Sequence, residues 1–479
     1  MAKQTIKVKN ADLSSNLVLP KYIAHLLGYD NINILFDDLK NTDEGYHNNI
    51  SFYCETLLSK ENRIIMDQEL EDYDNNIKDY TNKIKRSNNF KLKYYQYLAI
   101  LFNEIFLDKY FNGNTQKKIY FINEINDYIK NNNVSNNKLY SYTKDFKSPK
   151  IAYWMATGSG KTIIMHINYL QFIYYNKKYN NKIKIDNYIL ITPSEYLTAQ
   201  HLKEFEKSGI RAISFNGNSI DNFSEEGAVK VIDINKLKLN EDKKGSGVSI
   251  DISSFGSNNL ILVDEGHKGY KSDERKWLDI RNRLSESGFT YEYSATFGQA
   301  LSSDQELIDI YSKTIVFDYS YKYFYDDGYG KEFFVINLDP NKFNEATQRN
   351  ILLLANAISY AEQLYIYKKY PEDMKHYNIE QPLWMFVGSK VNVTDKRTQS
   401  DIYNVISFIQ WLINNDKNKL IKLIENIITG QSGILDENGN DVFGKLYDEN
   451  LFKFFRGKII NKELNFDDIY NIIFNDILK

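Results

Sequence analysis

The segment from Met155 to Thr162 carries residues that can hold a phosphate. It reads MATGSGKT and stands between an apolar run, IAYW, and a stretch with helical spacing. Gly158 and Gly160 allow the backbone to curl so that its N–H groups face a phosphate, and the positive end of the following helix adds to that field. In such a loop Lys161 reaches the β- and γ-phosphates, and the hydroxyl of Thr162 ligates Mg²⁺. We therefore predict that ATP and Mg²⁺ bind at Thr157, Gly158, Ser159, Gly160, Lys161 and Thr162.

A second candidate motif is acidic. The run LILVDEGH at 260–267 is an apolar strand signal that ends in two adjacent carboxylates. A strand end that delivers Asp264 to the Mg²⁺ shell is the Walker B arrangement, and Glu265 is then placed to orient and deprotonate the attacking water. The simpler alternatives are an acidic strand-to-loop turn here and a helix-capping Gly-Ser turn at the first motif. Because both motifs occur in an order and at a spacing that a parallel sheet accommodates, we predict one site with catalytic residues Lys161, Asp264 and Glu265 and Mg²⁺ ligands Thr162 and Asp264.

The elements that must position these residues follow an alternating pattern. Short apolar runs are separated by longer helical stretches from residue 150 onward, which predicts an α/β fold with a parallel sheet. The predicted strands are IAYWM at 151–155, YILIT at 188–192, VKVIDI at 229–234, LILVD at 260–264 and FTYEYSA at 289–295. A further apolar run, PLWMFVG at 382–388, predicts a buried strand that opens a second α/β unit. Residues 92–111 have apolar residues at helical spacing and predict an amphipathic helix.

Chain length and composition limit the organisation. A chain of 479 residues is long enough for about three domains of ~150 residues. We predict a helical N-terminal extension at 1–90, an ATP-binding lobe at 91–325, and a linker with a partial second lobe at 326–479. The fold class is therefore α/β, with a helical extension, one complete nucleotide-binding lobe and the beginning of another.

Net charge and cysteine content limit the classes of binding partner and the cellular compartment that we expect for this protein. The net charge of −3 gives no global positive field, although a motor on nucleic acid needs only a local basic track. The single cysteine, Cys54, excludes a disulfide framework and suits a reducing cytosol. No apolar run approaches the ~20 residues that a membrane span needs, and the N-terminus lacks the apolar segment of a secretory signal. We expect a cytoplasmic protein with no membrane partner.

These motifs together resemble those of the superfamily 2 DEAD/DEAH-type helicases and translocases. The resemblance is strongest to the motor (Res) subunits of type III restriction enzymes and more distant to type I systems and other prokaryotic defence ATPases. That family writes its phosphate loop with Met at position 155, has a RecA-like lobe, and carries a DExH box similar to DEGH. The run YSATFGQAL at 293–301 is similar to its Ser-Ala-Thr motif, which implies that Ser294 and Thr296 couple hydrolysis to movement. His267 is assigned to coupling or packing rather than to a metal, because no Cys or second His lies at ligand spacing.

Three weaker motifs extend the resemblance over roughly residues 90–395, and one of them, PLWMFVGSK at 382–390, resembles the first strand motif of the second lobe. The run ITPSEYLTAQHL at 191–202 resembles the motif that grips one nucleic-acid strand by its backbone, which implies DNA contacts at Thr192, Pro193 and Gln200. Thr-Pro is also an ordinary helix-start signal. Gln96 stands where the family places a glutamine that reads adenine, although a glutamine in an amphipathic helix more often faces solvent. The aromatic run at 318–334 could stack bases, and core packing explains it at least as well.

The arginine motif of the family is missing from this sequence. Its second lobe supplies arginine fingers from QxxGRxxR, and none of the nine arginines here falls in that pattern. Residues 389–479 are also too few for a full second lobe, and no nuclease-like cluster of Asp, Glu and Lys follows Val391. We expect either that a C-terminal half is missing or that a partner, such as a modification or specificity subunit, completes the site. In both cases the chain should bind ATP and turn it over poorly.

The predicted function is an ATP-dependent DNA helicase or translocase motor of a restriction or phage-defence system. A catalytically weak nucleotide-binding subunit that acts as a scaffold is the alternative from a different class, and the missing arginine motif favours it. An RNA helicase also remains open, because the family grips backbone phosphates rather than base edges.

Overall fold

The computed structural model describes two compact units, residues 1–331 and 332–479. The described residues are 13–84, 90–134, 138–147, 149–180, 183–215, 227–238, 250–266, 275–301, 304–330, 345–376, 379–386, 401–436, 439–444 and 451–477. None of the helices in these ranges is both long and apolar enough to cross a membrane.

The first unit is built on a parallel sheet. Its strands, with two short peripheral pairs, are β1 (Tyr46–His47), β2 (Ile50–Ser51), β3 (Lys150–Met155), β4 (Asn187–Thr192), β5 (Ala212–Ser214), β6 (Val229–Asp233), β7 (Leu237–Lys238), β8 (Ile250–Asp251), β9 (Asn259–Asp264), β10 (Phe289–Ser294) and β11 (Ile315–Tyr319). Seven of them pair in the order β11-β3-β10-β9-β4-β6-β5, and every pairing in this sheet is parallel. The predicted α/β fold with a parallel sheet is confirmed, and all five predicted strands of this unit are present. The sequence patterns did not indicate β5 and β11, which are only three and five residues long.

Helices cover both faces of this sheet. They are α1 (Leu13–Asn16), α2 (Leu19–Leu26), α3 (Ile32–Lys40), α4 (Phe52–Leu58), α5 (Asp67–Lys83), α6 (Tyr94–Phe111), α7 (Thr115–Asn131), α8 (Lys161–Lys178), α9 (Glu195–Lys207), α10 (Arg275–Leu284), α11 (Phe297–Leu301), α12 (Gln305–Thr314) and α13 (Tyr321–Asp326). Side chains alternate between the faces along each strand. In β9, Leu260 and Leu262 join the core beneath α6 and α8, whereas Ile261 and Val263 pack with Ile280 of α10 on the other face. Strands that are apolar on both faces are typical of a parallel sheet covered on both sides.

The N-terminal helices share one core with the sheet. Leu35 of α3, Leu57 of α4 and Ile77 of α5 belong to the same buried cluster as Leu262 of β9. The domain boundaries predicted at residues 90 and 325 remain predictions, but the extension and the lobe belong to one compact unit.

The helix predicted at 92–111 is present as α6, but it is not amphipathic. Every residue of α6 except Asp108 and Lys109 is buried, because α8, α5 and the sheet surround the helix. Its polar residues are therefore turned inward and hydrogen-bonded: Asn103 donates to the side chain of Gln171 at 2.7 Å, and Glu104 accepts from Tyr175 at 2.7 Å. Helical periodicity alone would place these polar residues at the surface. It fails here because residues from other helices form hydrogen bonds with them inside the core.

The second unit is helical in its described residues. Its helices are α14 (Glu345–Lys369), α15 (Pro371–His376), α16 (Asp401–Asn414), α17 (Lys417–Thr429), α18 (Lys453–Ile460) and α19 (Phe466–Ile472). They enclose a separate core that includes Ile358, Phe408, Ile427 and Phe455. The β pairing found among the described residues of this unit is a single bridge, Leu435 to Asp441.

The strand predicted at 382–388 is wrong over its described part. Residues 382–386 form no strand, and Leu383 and Met385 are 77% and 69% exposed. The run packs through Trp384 against Tyr360, but no neighbouring strand among the described residues pairs with its backbone. The described part of the chain therefore shows no sheet of a second RecA-like lobe.

Candidate nucleotide-binding site

The sheet topology brings the predicted motifs to one edge. Met155 ends β3, Asp264 ends β9, Ser294 ends β10 and Thr192 ends β4. Because the strands are parallel and nearly in register, with Tyr293 opposite Asp264 and Ser294 opposite Trp154, these ends are neighbours. The carboxyl edge of an open α/β sheet is where such folds bind ligands.

The loop between β3 and α8 has the shape of a phosphate cradle. Gly158 and Gly160 adopt φ values of 88° and 92°, a left-handed conformation that side chains disfavour. The backbone N–H of Ser159 donates to the carbonyl of Ala156 at 3.2 Å, which closes the turn. Gly160 is the N-cap of α8, so the unpaired N–H groups of the first helical turn open toward the loop. Thr157 and Gly158 are exposed at the mouth of this cradle.

The lysine of this loop is folded back onto its own backbone. The Lys161 ammonium donates to the carbonyls of Met155 and Ala156, each at 3.2 Å. Burial lowers the pKa of Lys161, and the nearby charges of Glu265 and Asp264 partly offset that effect. A partly desolvated cation between carbonyl oxygens and carboxylates is suited to bind an anion.

Asp264 is held ionised by an unforeseen partner. Its Oδ2 accepts from Nε2 of His201 at 2.9 Å, and its Oδ1 accepts from the backbone N–H of Glu265 at 3.0 Å. Burial by itself would raise the pKa of Asp264. The hydrogen bond and charge of His201 together with the charge of Lys161 outweigh burial, so the pKa is lowered.

Glu265 lies in a strained turn just beyond β9. Its φ of 56° falls in the left-handed region, which costs a non-glycine residue about 1 kcal/mol or more. The turn is tied to the next strand by the N–H of Gly266, which donates to the carbonyl of Tyr293 at 2.9 Å. A Cβ on Gly266 would lie 2.8 Å from the Cβ of Glu292, so only glycine allows this approach. His267, the last residue of the motif, lies outside the described residues.

The Ser-Ala-Thr motif follows β10 directly. Ser294 is fully buried, and its hydroxyl accepts from the backbone N–H of Thr296 at 3.0 Å. The indole of Trp154, on the phosphate-loop strand, donates to the carbonyl of Ala295 at 3.1 Å. The motif is thus hydrogen-bonded to the strand that carries the phosphate loop, while the coupling roles of Ser294 and Thr296 stay predictions.

Gln96 contacts the phosphate loop instead of facing solvent. Its amide donates to the carbonyl of Ser159 at 3.0 Å and accepts from the backbone N–H of Lys93 at 3.0 Å. A Cβ on Gly160 would lie 2.5 Å from the same amide, so the two elements are in close contact. The adenine-reading role stays a prediction.

The aromatic run after β11 splits into buried and exposed members. Tyr319 is buried and stacks on Tyr95 with ring centroids 3.9 Å apart, and its hydroxyl donates to Asp327 at 2.5 Å. Phe324 lies over the phosphate loop, 3.5 Å from where a Cβ of Gly158 would stand. The exposed rings of Tyr325 and Tyr329 leave base stacking open, and residues 331–334 lie outside the described part of the chain.

The residues predicted to contact nucleic acid differ in access. Thr192 is 1% exposed, and its hydroxyl pairs with that of Thr198 at 2.6 Å, so it shapes the turn before α9. Pro193 is half-buried, while Gln200 is exposed on α9 and Tyr196 is 79% exposed. Thr192, Pro193, Asp264 and Glu265 line one small cavity. The segment at 191–202, predicted to contact nucleic acid, therefore begins next to the acidic motif.

His201 is the main residue that sequence reasoning did not single out. It follows Gln200 and lies on the buried face of α9 with Thr198 and Phe205, at helical spacing. The sequence did contain one signal for His201: it falls at helical spacing with Thr198 and Phe205, on the face of α9 that would be buried. Its partner was invisible, because Asp264 is 63 residues further along the chain.

The residues present fit Mg²⁺ held jointly with a nucleotide. Thr162 and Asp264 carry side-chain oxygens, the donor type that Mg²⁺ prefers. Mg²⁺ usually completes its coordination shell with substrate phosphates and water. Within the described ranges no group of three or more His, Cys, Asp and Glu side chains could hold a metal by itself. The donor set therefore suits a nucleotide-dependent Mg²⁺ site better than a resident metal centre.

Comparison with known proteins gives one family match. Residues 119–299 match the model of the family described as "Type III restriction enzyme, res subunit". The matched segment contains the phosphate loop, the DEGH box and most of the Ser-Ala-Thr run. No curated protein matches the chain in sequence.

Solved structures that resemble the chain do so at low similarity. The Pyrococcus furiosus Hef helicase domain has 14% identity and a TM-score of 0.28, with 69% of this chain and 66% of that chain covered. The Sulfolobus solfataricus SWI2/SNF2 ATPase core in complex with dsDNA has 12% identity and a TM-score of 0.25, covering 65% and 60%. T4 UvsW has 13% identity and a TM-score of 0.27, covering 63% and 50%. The chain thus spans less than two thirds of the length of these solved chains.

Proposed function

We propose that this protein is an ATP-dependent motor acting on DNA, on the basis of the match of residues 119–299 to the res-subunit family of type III restriction enzymes. The observation that carries the proposal is the meeting of three strand ends. They bring Lys161, Asp264 and the Ser294 motif to one edge, beside a loop shaped to receive phosphate.

Each residue has a distinct task in this proposal. The Lys161 ammonium leaves the carbonyls of Met155 and Ala156 to meet the β- and γ-phosphates, aided by the N–H groups that begin α8. Thr162 and Asp264 hold Mg²⁺, which when bound neutralises charge on the phosphates. Glu265 orients the attacking water and accepts its proton.

DNA is proposed to bind beside the acidic motif. The exposed face of α9 offers Gln200 and Tyr196, and the helix begins at the turn formed by Pro193 and Ser194. An amide and a phenol can contact phosphates and sugars without reading sequence. Competition between matched DNA and RNA strands would decide between a DNA motor and the RNA helicase alternative.

Nucleotide binding and hydrolysis by the purified chain test the proposal. Lys161→Ala should abolish binding or turnover, and Glu265→Gln should stop hydrolysis by ~10²-fold or more while leaving binding intact. Glu206→Gln, on the exposed surface of α9, is a matched control for the second change. Unchanged nucleotide affinity and turnover in the Lys161 variant would contradict the proposal.

A nucleotide-binding scaffold is the second candidate, supported by the two buried arginines, Arg281 and Arg456. Arg281 donates to the carbonyl of Gly266 at 3.0 Å, and Arg456 donates to the carbonyl of Ile428 at 2.8 Å. Both are buried and occupied with backbone carbonyls, so neither is presented as an arginine finger. Hydrolysis at an ordinary rate by the chain alone would exclude the scaffold, and DNA-stimulated hydrolysis would favour the motor.

The cellular setting rests on the family match alone. We propose a cytoplasmic restriction or phage-defence role with a modification or specificity subunit as partner. Co-purification of such a subunit with the chain, and loss of phage protection in the Lys161→Ala variant, would support it. Protection that survives this variant would argue against an ATP-driven defence role.

A further inference from the structure

His201 connects two parts of the proposed motor that are far apart in sequence. It lies on α9, the helix that follows the strand-gripping motif, and its imidazole reaches the end of β9. Nε2 of His201 is 2.9 Å from Oδ2 of Asp264. The exposed residue next to it, Gln200, is on the face of α9 proposed to meet DNA.

The hydrogen bond has a defined direction. Asp264 is a carboxylate and can only accept, so the proton of the imidazole is on Nε2. The other ring nitrogen, Nδ1, is buried and has no hydrogen-bond partner in the described part of the chain. A histidine kept only to fill the core would have no reason to present this costly unsatisfied atom, whereas leucine would fill the same space.

The contact with His201 is one of two hydrogen bonds that orient the Asp264 carboxylate, one to each oxygen. Oδ1 of Asp264 accepts from the backbone of Glu265, and Oδ2 accepts from His201. The carboxylate orientation is therefore set from two sides, one of which is a side chain of α9. Any shift of α9 along or about its axis moves the donor of that bond.

Resting on the proposed function, we propose that His201 is a positioning residue that couples strand binding at α9 to the Mg²⁺–nucleotide site through Asp264. In the free chain it holds the carboxylate in one orientation. When a nucleic-acid strand engages Gln200 and the start of α9, the helix carries His201 with it, and the orientation of Asp264 toward Mg²⁺ changes. Coupling of this kind is reciprocal, so Mg²⁺–nucleotide also changes the affinity for the strand.

The test measures binding, not turnover. Affinities of a fluorescent non-hydrolysable ATP analogue are measured with Mg²⁺ and with EDTA, each with and without a single-stranded DNA oligonucleotide. His201→Ala should lower the Mg²⁺-dependent gain in nucleotide affinity by ~10-fold, as expected for loss of a residue that orients a metal ligand. Affinity in EDTA should not change, because the phosphate loop and Lys161 remain. The effect of DNA on nucleotide affinity should disappear.

Two further variants separate positioning from packing. His201→Gln keeps a donor of similar reach and should restore most of the Mg²⁺ dependence and of the DNA effect. Phe205→Leu changes the packing of α9 one turn further on without touching Asp264, and should leave both intact. Thermal unfolding of each variant shows whether it is folded.

The possible outcomes distinguish this inference from the proposed function. If His201→Ala keeps both the Mg²⁺ dependence and the DNA effect, or if Phe205→Leu loses them equally, the positioning role is wrong and the motor proposal stands. If the wild-type chain binds no nucleotide with Mg²⁺, both proposals are wrong. Loss in the alanine variant with recovery in the glutamine variant supports the inference.

Discussion

Two carboxyl groups of the first unit, the partly buried Asp264 and the fully buried Glu104, have pKa values shifted in opposite directions. Asp264 ends β9 at the sheet edge, where the hydrogen bond from His201 and the charge of Lys161 keep its pKa lowered against the effect of burial. Glu104 lies within α6 behind the phosphate-loop helix, where burial raises its pKa to about 7. Its partners there, Tyr175, Gln171 and Asn76, are neutral donors that reduce the shift without reversing it.

The comparison shows that burial alone does not define a reactive carboxylate. Burial raises the pKa of both groups, but only Asp264 has a lysine and a histidine donor beside it. The edge of the sheet accumulates charge where a charged ligand is expected, while the interior behind α8 balances a carboxyl group with neutral hydrogen bonds. A perturbed pKa therefore points to a site only when its cause is known.

The largest expected difference is in nucleotide turnover. Asp264→Asn should reduce hydrolysis by at least ~100-fold, because an amide is a poor Mg²⁺ ligand and the carboxylate that accepts the hydrogen bond of His201 is lost. The matched change Glu104→Gln removes the other buried carboxyl and should leave turnover within about threefold. Steady-state hydrolysis at saturating ATP measures both. Equal losses of turnover in the two variants would contradict the different roles assigned to Asp264 and Glu104.

The next effect is on stability against pH. The folded chain binds the Glu104 proton more tightly than the unfolded chain, whose pKa is near 4.5. This stabilisation is fully present below pH 4.5, declines as the pH rises to about 7, and is absent above it; it amounts to about 3 kcal/mol. Wild type should therefore lose that much stability relative to Glu104→Gln between pH 4.5 and pH 8.

Urea unfolding of both proteins across this range checks the prediction. Asp264→Asn serves as the contrast, because a lowered pKa contributes stability that is lost only as the pH falls below 4. If wild type and Glu104→Gln change in parallel, Glu104 is already ionised in the folded chain.

A smaller effect should follow removal of one neutral donor. Tyr175 donates to Glu104 at 2.7 Å, so Tyr175→Phe leaves the buried carboxyl group with one partner fewer. The loss of stability should be about 1–2 kcal/mol and larger at pH 8 than at pH 5, since the hydrogen bond is stronger to the charged form. Tyr174→Phe, at the exposed neighbouring position, is the matched control. No pH dependence of the difference would contradict the account of Glu104.

The smallest expected effect concerns Gln96, a neutral hydrogen-bond donor beside the phosphate loop. Gln96→Ala removes the hydrogen bond to Ser159 that supports the phosphate loop. Nucleotide affinity should fall about three- to tenfold, the equivalent of one ordinary hydrogen bond. Gln68→Ala, on the exposed face of α5, is the control. An affinity that falls for ATP but not for GTP would instead favour the predicted adenine-reading role.

Sequence patterns predicted the structure best where a strand ends in a tight turn. The run MATGSGKT requires left-handed glycines and a helix start, and the structure has both at Gly158 and Gly160. Five of the seven strands of the parallel sheet were predicted for the same reason, because short apolar runs bounded by polar loops are typical of buried strands. The run at 382–388 shares that pattern without forming a strand over 382–386, because a strand needs neighbours that the run itself does not encode.

The amino-acid sequence by itself determined the fold class, the positions of five strands along the chain and the two motifs at 155–162 and 260–267. These features depend on residues a few positions apart, so their chemistry and spacing are visible in the chain. Only the tertiary structure decided that His201 meets Asp264, that α6 is buried on all sides, and that Glu104 has neutral partners. Each depends on contacts between residues dozens of positions apart, and the burial and charge around a group are properties of the packed chain.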